Sequence, residues 1–145
     1  MSALLSAGLC LALAAQTAAY PPPDSAAQAF VPGQHFTLAW THSIEKIRWE
    51  EDYTVHLQPP QPARLSLDKA RVRGSGAGME PPEDAKLVKG WYVYSPTTPL
   101  PPALRLTRSP YTSDYTLCAD GQCQSMSHWL ASDGNTTLMW ACTRP

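Results

Sequence analysis

Fifteen prolines in a chain of 145 residues set the strongest limit on what it can fold into. They gather at Pro21 to Pro23, in QPPQP at Gln58 to Pro62, in EPPED at Glu80 to Asp84 and in TPLPP at Thr98 to Pro102. Proline breaks a helix interior and donates nothing to a central ladder, so each cluster marks a boundary or an edge. The segments between them are short and rich in Val, Thr, Tyr, Leu and Trp, and none keeps a helical period over three turns. The pattern predicts an all-β fold, a single small antiparallel β-sandwich or partly open barrel built from hairpins.

The first stretch, MSALLSAGLCLALAAQTAAYPPPD, carries no charged side chain before Asp24. It reads as a secretory signal over residues 1–19, with Thr17 and Ala19 at the small positions before a cut and an uncleaved anchor as the alternative. A lipoprotein reading with Cys10 acylated is disfavoured by Leu9, which stands where a small residue belongs. A Pro/Ala-rich linker over 20–33 and a β domain over 34–145 follow, with room for one core and no second domain. Lys plus Arg number 11 against 12 Asp plus Glu, which leaves no basic footprint for nucleic acid and no acidic tail.

In FTLAWTHSIEKIRWEEDYTV, alternation places Phe36, Leu38, Trp40 and His42 on one face. Glu51, Tyr53, Val55 and Leu57 share a face in the next segment. Folding these into an antiparallel pair predicts Phe36 opposite Leu57, Leu38 opposite Val55, Trp40 opposite Tyr53 and His42 opposite Glu51. The polar face then pairs Thr37 with His56, Ala39 with Thr54 and Thr41 with Asp52. Ser43 points away from His42 in a regular strand, so the two do not form a nucleophile and base. His42 with Glu51 is the expected polar pair, more simply a structural hydrogen bond than a catalytic one.

ARLSLDKARVRG continues as a strand, and GSGAG at Gly74 to Gly78 then interrupts it. These glycines fit neither a phosphate loop nor a dinucleotide fingerprint. They suit a bulge or tight bend, or less commonly an anion-binding nest beside Arg71 and Arg73. KGWYVYSP gives a strand with Trp91 and Val93 on one face and Tyr92 and Tyr94 on the other. In YTLCADGQCQSM the turn signal Asp120-Gly121 sets Cys118 opposite Cys123, within disulfide reach. Cys142 is left as a free thiol or a competing partner. A zinc set of Cys118, Cys123, His128 and Cys142 lacks the close Cys pairs of structural zinc sites, so neither a metal nor another cofactor is expected.

HSIEKIRWEEDYTV together with GSGAGM resembles the family called domain of unknown function 1850, over roughly Phe36 to the hairpin near Cys123. In that resemblance His42 and Ser43 match the first element, Glu50 or Glu51 the acidic position, and Gly76, Ala77 and Gly78 a later Gly-Ala-Gly. It implies a small exported or membrane-anchored protein, periplasmic or secreted. Its genes often lie beside solute transporters of the tripartite periplasmic (TRAP) type that use immunogenic-type (TAXI) binding proteins. No catalytic residues come with the family, because no activity is assigned to it. The expectation is a non-enzymatic accessory or binding module whose partner is a transporter component or its solute. The alternatives are a small hydrolase-like enzyme using His42 and Glu51, and a structural envelope protein making contacts through Trp40, Trp49 and Trp91.

Overall fold

The computed structural model describes residues 4–41, 46–74 and 81–145. The fold is all-β. Its strands are β1 (Ser6–Leu13), β2 (Ala29–Pro32), β3 (His35–Thr41), β4 (Arg48–His56), β5 (Arg64–Val72), β6 (Lys86–Val88), β7 (Trp91–Tyr94), β8 (Leu104–Thr107), β9 (Thr116–Ala119), β10 (Gln122–Ser125) and β11 (Thr136–Arg144). They form a four-stranded sheet, β2-β1-β11-β8, and a seven-stranded sheet, β10-β9-β3-β4-β5-β7-β6. The two antiparallel sheets pack as a sandwich and do not close into a barrel.

Alternation puts one apolar face of each sheet into the space between them. Leu9 and Leu11 of β1, Val31 of β2 and Met139 of β11 meet Phe36, Leu38, Tyr53, Val55 and Leu117 of the larger sheet. Burial of each such leucine contributes about 1.5–3 kcal/mol. Inward positions along β5 change from Leu65 and Leu67 to Ala70 and Val72. A bulge explains the change: Asp52 pairs Lys69 while Tyr53 pairs Leu67, leaving Asp68 as the extra residue.

The run read as a leader is β1, a central strand. Each of its eight residues pairs with β11, from Ser6 opposite Arg144 to Leu13 opposite Thr137. Leu9 to Ala12 are 0 % exposed. Gly8 is needed where β2 crosses close by, since a Cβ there would run into the Val31 carbonyl oxygen and the Phe30 ring. Cys10 is disulfide-bonded to Cys142, which answers what Cys142 pairs with. The bond lies in a second apolar cluster with Ala12, Ala103, Leu138 and Trp140, on the outer face of the smaller sheet. The segment expected as a linker belongs to this arrangement: it includes β2, Trp140 Nε1 donates to Asp24 Oδ1 at 3.1 Å, and the Tyr20 hydroxyl donates to the Ala103 carbonyl at 2.8 Å. A cut after Ala19 would remove β1 together with Cys10.

The β3–β4 hairpin exists with the expected faces but in a different register. Phe36 pairs with Tyr53, Leu38 with Glu51 and Trp40 with Trp49, and on the polar face Thr37 pairs with Asp52, Ala39 with Glu50 and Thr41 with Arg48. The pairings Trp40 to Tyr53 and Thr41 to Asp52 are therefore corrected, and so is the rung proposed for Glu51. The observed register stacks the Trp40 and Trp49 indoles, with centroids 6.0 Å apart and planes 5° from parallel. It also sets Glu50 beside Arg71 of β5. The β9–β10 hairpin forms as read: Asp120 and Gly121 both have positive φ, 47° and 89°, and Cys118 faces and bonds Cys123.

Candidate functional site

One end of the larger sheet gathers the segments that carry the expected site residues. β3 ends there at Thr41, opposite Arg48 at the start of β4. β5 ends beside them, with Val72 paired to Trp49 and the Arg73 amide donating to the Arg48 carbonyl at 3.0 Å. His42, Ser43, Gly76, Ala77 and Gly78 lie outside the described residues. Glu50 and Glu51 are described, and the strand sends them to opposite faces.

Glu50 belongs to the outer, solvated face. Arg71 Nε donates to it at 2.7 Å, and the same guanidinium reaches Asp52 at 2.8 and 3.2 Å. Asp52 also accepts from Thr37 at 2.8 Å. Burial alone would raise the Asp52 pKa, but Arg71 and Thr37 hold it below the usual carboxylate range. Arg71 is thus spent on this ladder, and the Arg73 guanidinium lies over the Trp91 ring, 5.5 Å from its centroid. Both arginines suggested for an anion nest beside the glycines are engaged in these contacts.

Glu51 faces inward, one rung below the Trp40–Trp49 stack, flanked by Leu38 and Ala70. The Tyr53 hydroxyl donates to it at 2.9 Å. Burial pushes its carboxyl up, and the Tyr53 hydrogen bond only partly offsets this. Glu51 in turn raises the pKa of Tyr94 and Tyr115, after the burial of each ring. Trp49 Nε1 is buried with no hydrogen-bond partner among the described residues.

On the other side of Trp40 a cleft of about 630 Å³ opens between this strand end and the loop from β8 to β9. Its walls include Trp40, Thr41, Thr107, Tyr111, Ser113 and Tyr115. Trp40 and Tyr115 meet with centroids 5.7 Å apart and tilted planes. Tyr111 stands at the loop tip, 93 % exposed. The loop is fixed from beneath by Arg108, whose side chain is 1 % exposed. Arg108 donates through Nε and Nη2 to Asp114 at 3.0 and 2.8 Å, and to Thr137 and Ser127 at 3.2 Å each. Asp114 also accepts from the Tyr115 and Ser127 amides, both at 2.9 Å. Burial would raise the Asp114 pKa, but Arg108 and Ser127 more than offset that and hold it low. A buried guanidinium paired with the half-buried Asp114 carboxylate thus makes a hydrogen-bonded floor for an exposed aromatic loop.

Sequence reasoning passed over this loop. RSPYTSDY has no strand or helix period, and its only signal was Arg and Asp six residues apart around Pro110 and Tyr111. All four cysteines are in disulfides, which replaces the zinc set, and His128 packs edge-on against Trp129 at 5.1 Å. A second cleft, about 580 Å³, lies between Pro-rich segments and is lined by His56, Pro62, Leu65, Pro101 and Trp140 among others.

Fold and site define a small two-sheet β module with an aromatic cleft at one end. The family model described as Domain of unknown function (DUF1850) matches residues 36–126, more than half of the chain, and the chain belongs to that family. The match takes in the seven-stranded sheet, apart from His35 at the start of β3, together with β8, while β1, β2 and β11 fall outside it. No curated protein and no solved structure matches the chain.

Proposed function

We propose that this chain is a non-enzymatic extracytoplasmic binding module that serves solute uptake through a TRAP-type transporter and holds a solute in the cleft at Trp40. The observation that carries this reading is the cleft itself. Exposed aromatic and hydroxyl groups stand on a loop held by the ion pair of buried Arg108 with half-buried Asp114, the kind of pre-formed wall that small-molecule sites use. Residues 40, 41 and 107–115 of the cleft's lining lie inside the family match and only Ser132 and Gly134 outside it, whereas the Pro-rich cleft draws on Pro21, Asp24, Met139 and Trp140 outside it. Two disulfides fit an oxidising compartment outside the cytoplasm, and a periplasmic location follows from the transporter setting that the family resemblance implies. Among the described residues no helix is long and apolar enough to cross a membrane.

The test is uptake of radiolabelled solutes by cells lacking the chain. Uptake should fall, and it should be restored by the wild type and by Gln58→Ala at the opposite cleft, but not by Tyr111→Ala. Uptake that is unchanged without the chain would overturn the reading.

A further inference from the structure

We infer, on the basis of the binding role proposed above, that the cleft at Trp40 takes a neutral, polyhydroxylated ligand of sugar size. The first ground is charge. Arg108 and Asp114 are the charged groups among the described lining residues, and each is consumed by the other. The guanidinium is buried and bonded to Asp114, Thr137 and Ser127, and both carboxylate oxygens already accept from Arg108. Among the described residues the wall offers a ligand carboxylate or ammonium no free counter-charge, and an unpaired charge taken from water is costly.

The second ground is the hydrogen-bonding inventory. Thr41, Thr107 and Ser113 bring hydroxyls to the cleft, and a hydroxyl both donates and accepts. Sugar hydroxyls have the same dual character, so each contact can be satisfied in either direction. Wall hydroxyls without a ligand group of that kind would have to keep their water instead.

The third ground is the aromatic surface. Trp40, Tyr111 and Tyr115 line the cleft; Trp40 is stacked on Trp49 and tilted against Tyr115, so the exposed Tyr111 ring offers the open face. Such a ring accepts the apolar C–H face of a pyranose while its edge remains in contact with hydroxyls. Aromatic faces also suit organic cations, but the carboxylate in this wall is already neutralised by Arg108. A volume of about 630 Å³ accommodates one or two sugar rings and lies within the range of small-molecule sites.

The experiment is an amide and indole NMR titration of the full chain with four probes: glucose, maltose, choline and succinate. Glucose or maltose should shift the Trp40 indole and the amides of residues 107–115. Tyr111→Ala, which removes an exposed ring and little packing, should weaken that binding about tenfold, and Ser113→Ala should weaken it less. Shifts at these residues with choline or succinate but with neither sugar would overturn the ligand class and leave the cleft as a binding site. No shift at these residues with any of the four probes would overturn both. Sugar binding at this cleft that Tyr111→Ala does not alter would overturn the role given to the aromatic wall.

Discussion

Replacing Asp114 with alanine leaves the Arg108 guanidinium buried, 1 % exposed, without its counter-charge. It also removes the acceptor for the Tyr115 and Ser127 amides, each bonded at 2.9 Å. Breaking one side of a buried ion pair costs about 3–5 kcal/mol, because the remaining charge has lost its partner. At about 2–4 °C per kcal/mol for a chain near this size, the midpoint of thermal unfolding should fall by roughly 6–20 °C. The double variant Arg108→Met with Asp114→Ala should lose less than Asp114→Ala alone, since it removes both charges. Differential scanning calorimetry measures the midpoints. Hydrogen exchange should show residues 108–115 losing protection first, because their floor is gone.

The same residue makes a statement about pH. The folded pKa of Asp114 is held below its unfolded value of about 3.9 by Arg108 and Ser127, against the effect of burial. Its stabilisation is therefore full above the unfolded value and is lost as pH falls through the folded one. Wild type should lose stability more steeply than Asp114→Ala below about pH 4. A loss under about 1 kcal/mol for Asp114→Ala at neutral pH, or identical acid profiles, would refute the claim that this pair fixes the loop.

Four further outcomes follow from the same structure. Cys10→Ser should cost about 2–5 kcal/mol in calorimetry, and a chain of residues 20–145, which lacks β1, should show no cooperative melt. Mass spectrometry of the unreduced protein should find Cys10 linked to Cys142 and Cys118 linked to Cys123; both members of either pair alkylated would contradict this. Glu51→Gln should raise the melting temperature at pH 7, because burial holds the folded carboxyl above its unfolded value and the charged form is the unfavourable one. That gain should shrink as pH falls through the folded value and vanish below the unfolded one, about 4.3, whereas a gain persisting at pH 3 would contradict the assignment.

Face was legible in the sequence and register was not, for a physical reason that the β3–β4 hairpin makes plain. Pairing Phe36 with Leu57 or with Tyr53 keeps every side chain on the same side, because the two registers differ by an even number of residues. The choice rests on the Trp40–Trp49 stack and on Glu50 meeting Arg71, and the second of these belongs to a third strand. The Cys118–Cys123 rung was legible because a two-residue turn leaves no such freedom. β1 misleads for a different reason. It is buried on both faces, with Leu9 and Leu11 inward and Cys10 and Ala12 under the outer cover, so it shows the unbroken apolar run of a leader rather than alternation. The cleft was hidden because the partners that fix its loop, Ser127 and Thr137, lie 19 and 29 residues from Arg108.

The most direct test of the account is a crystal structure of the full chain grown with whichever sugar binds best in the titration. The account predicts ligand density between Trp40, Tyr111 and Tyr115, with hydrogen bonds to Thr41, Thr107 or Ser113 and the Arg108–Asp114 pair unchanged behind them. Ligand seated instead in the Pro-rich cleft, against His56, Pro62 and Pro101, would contradict it.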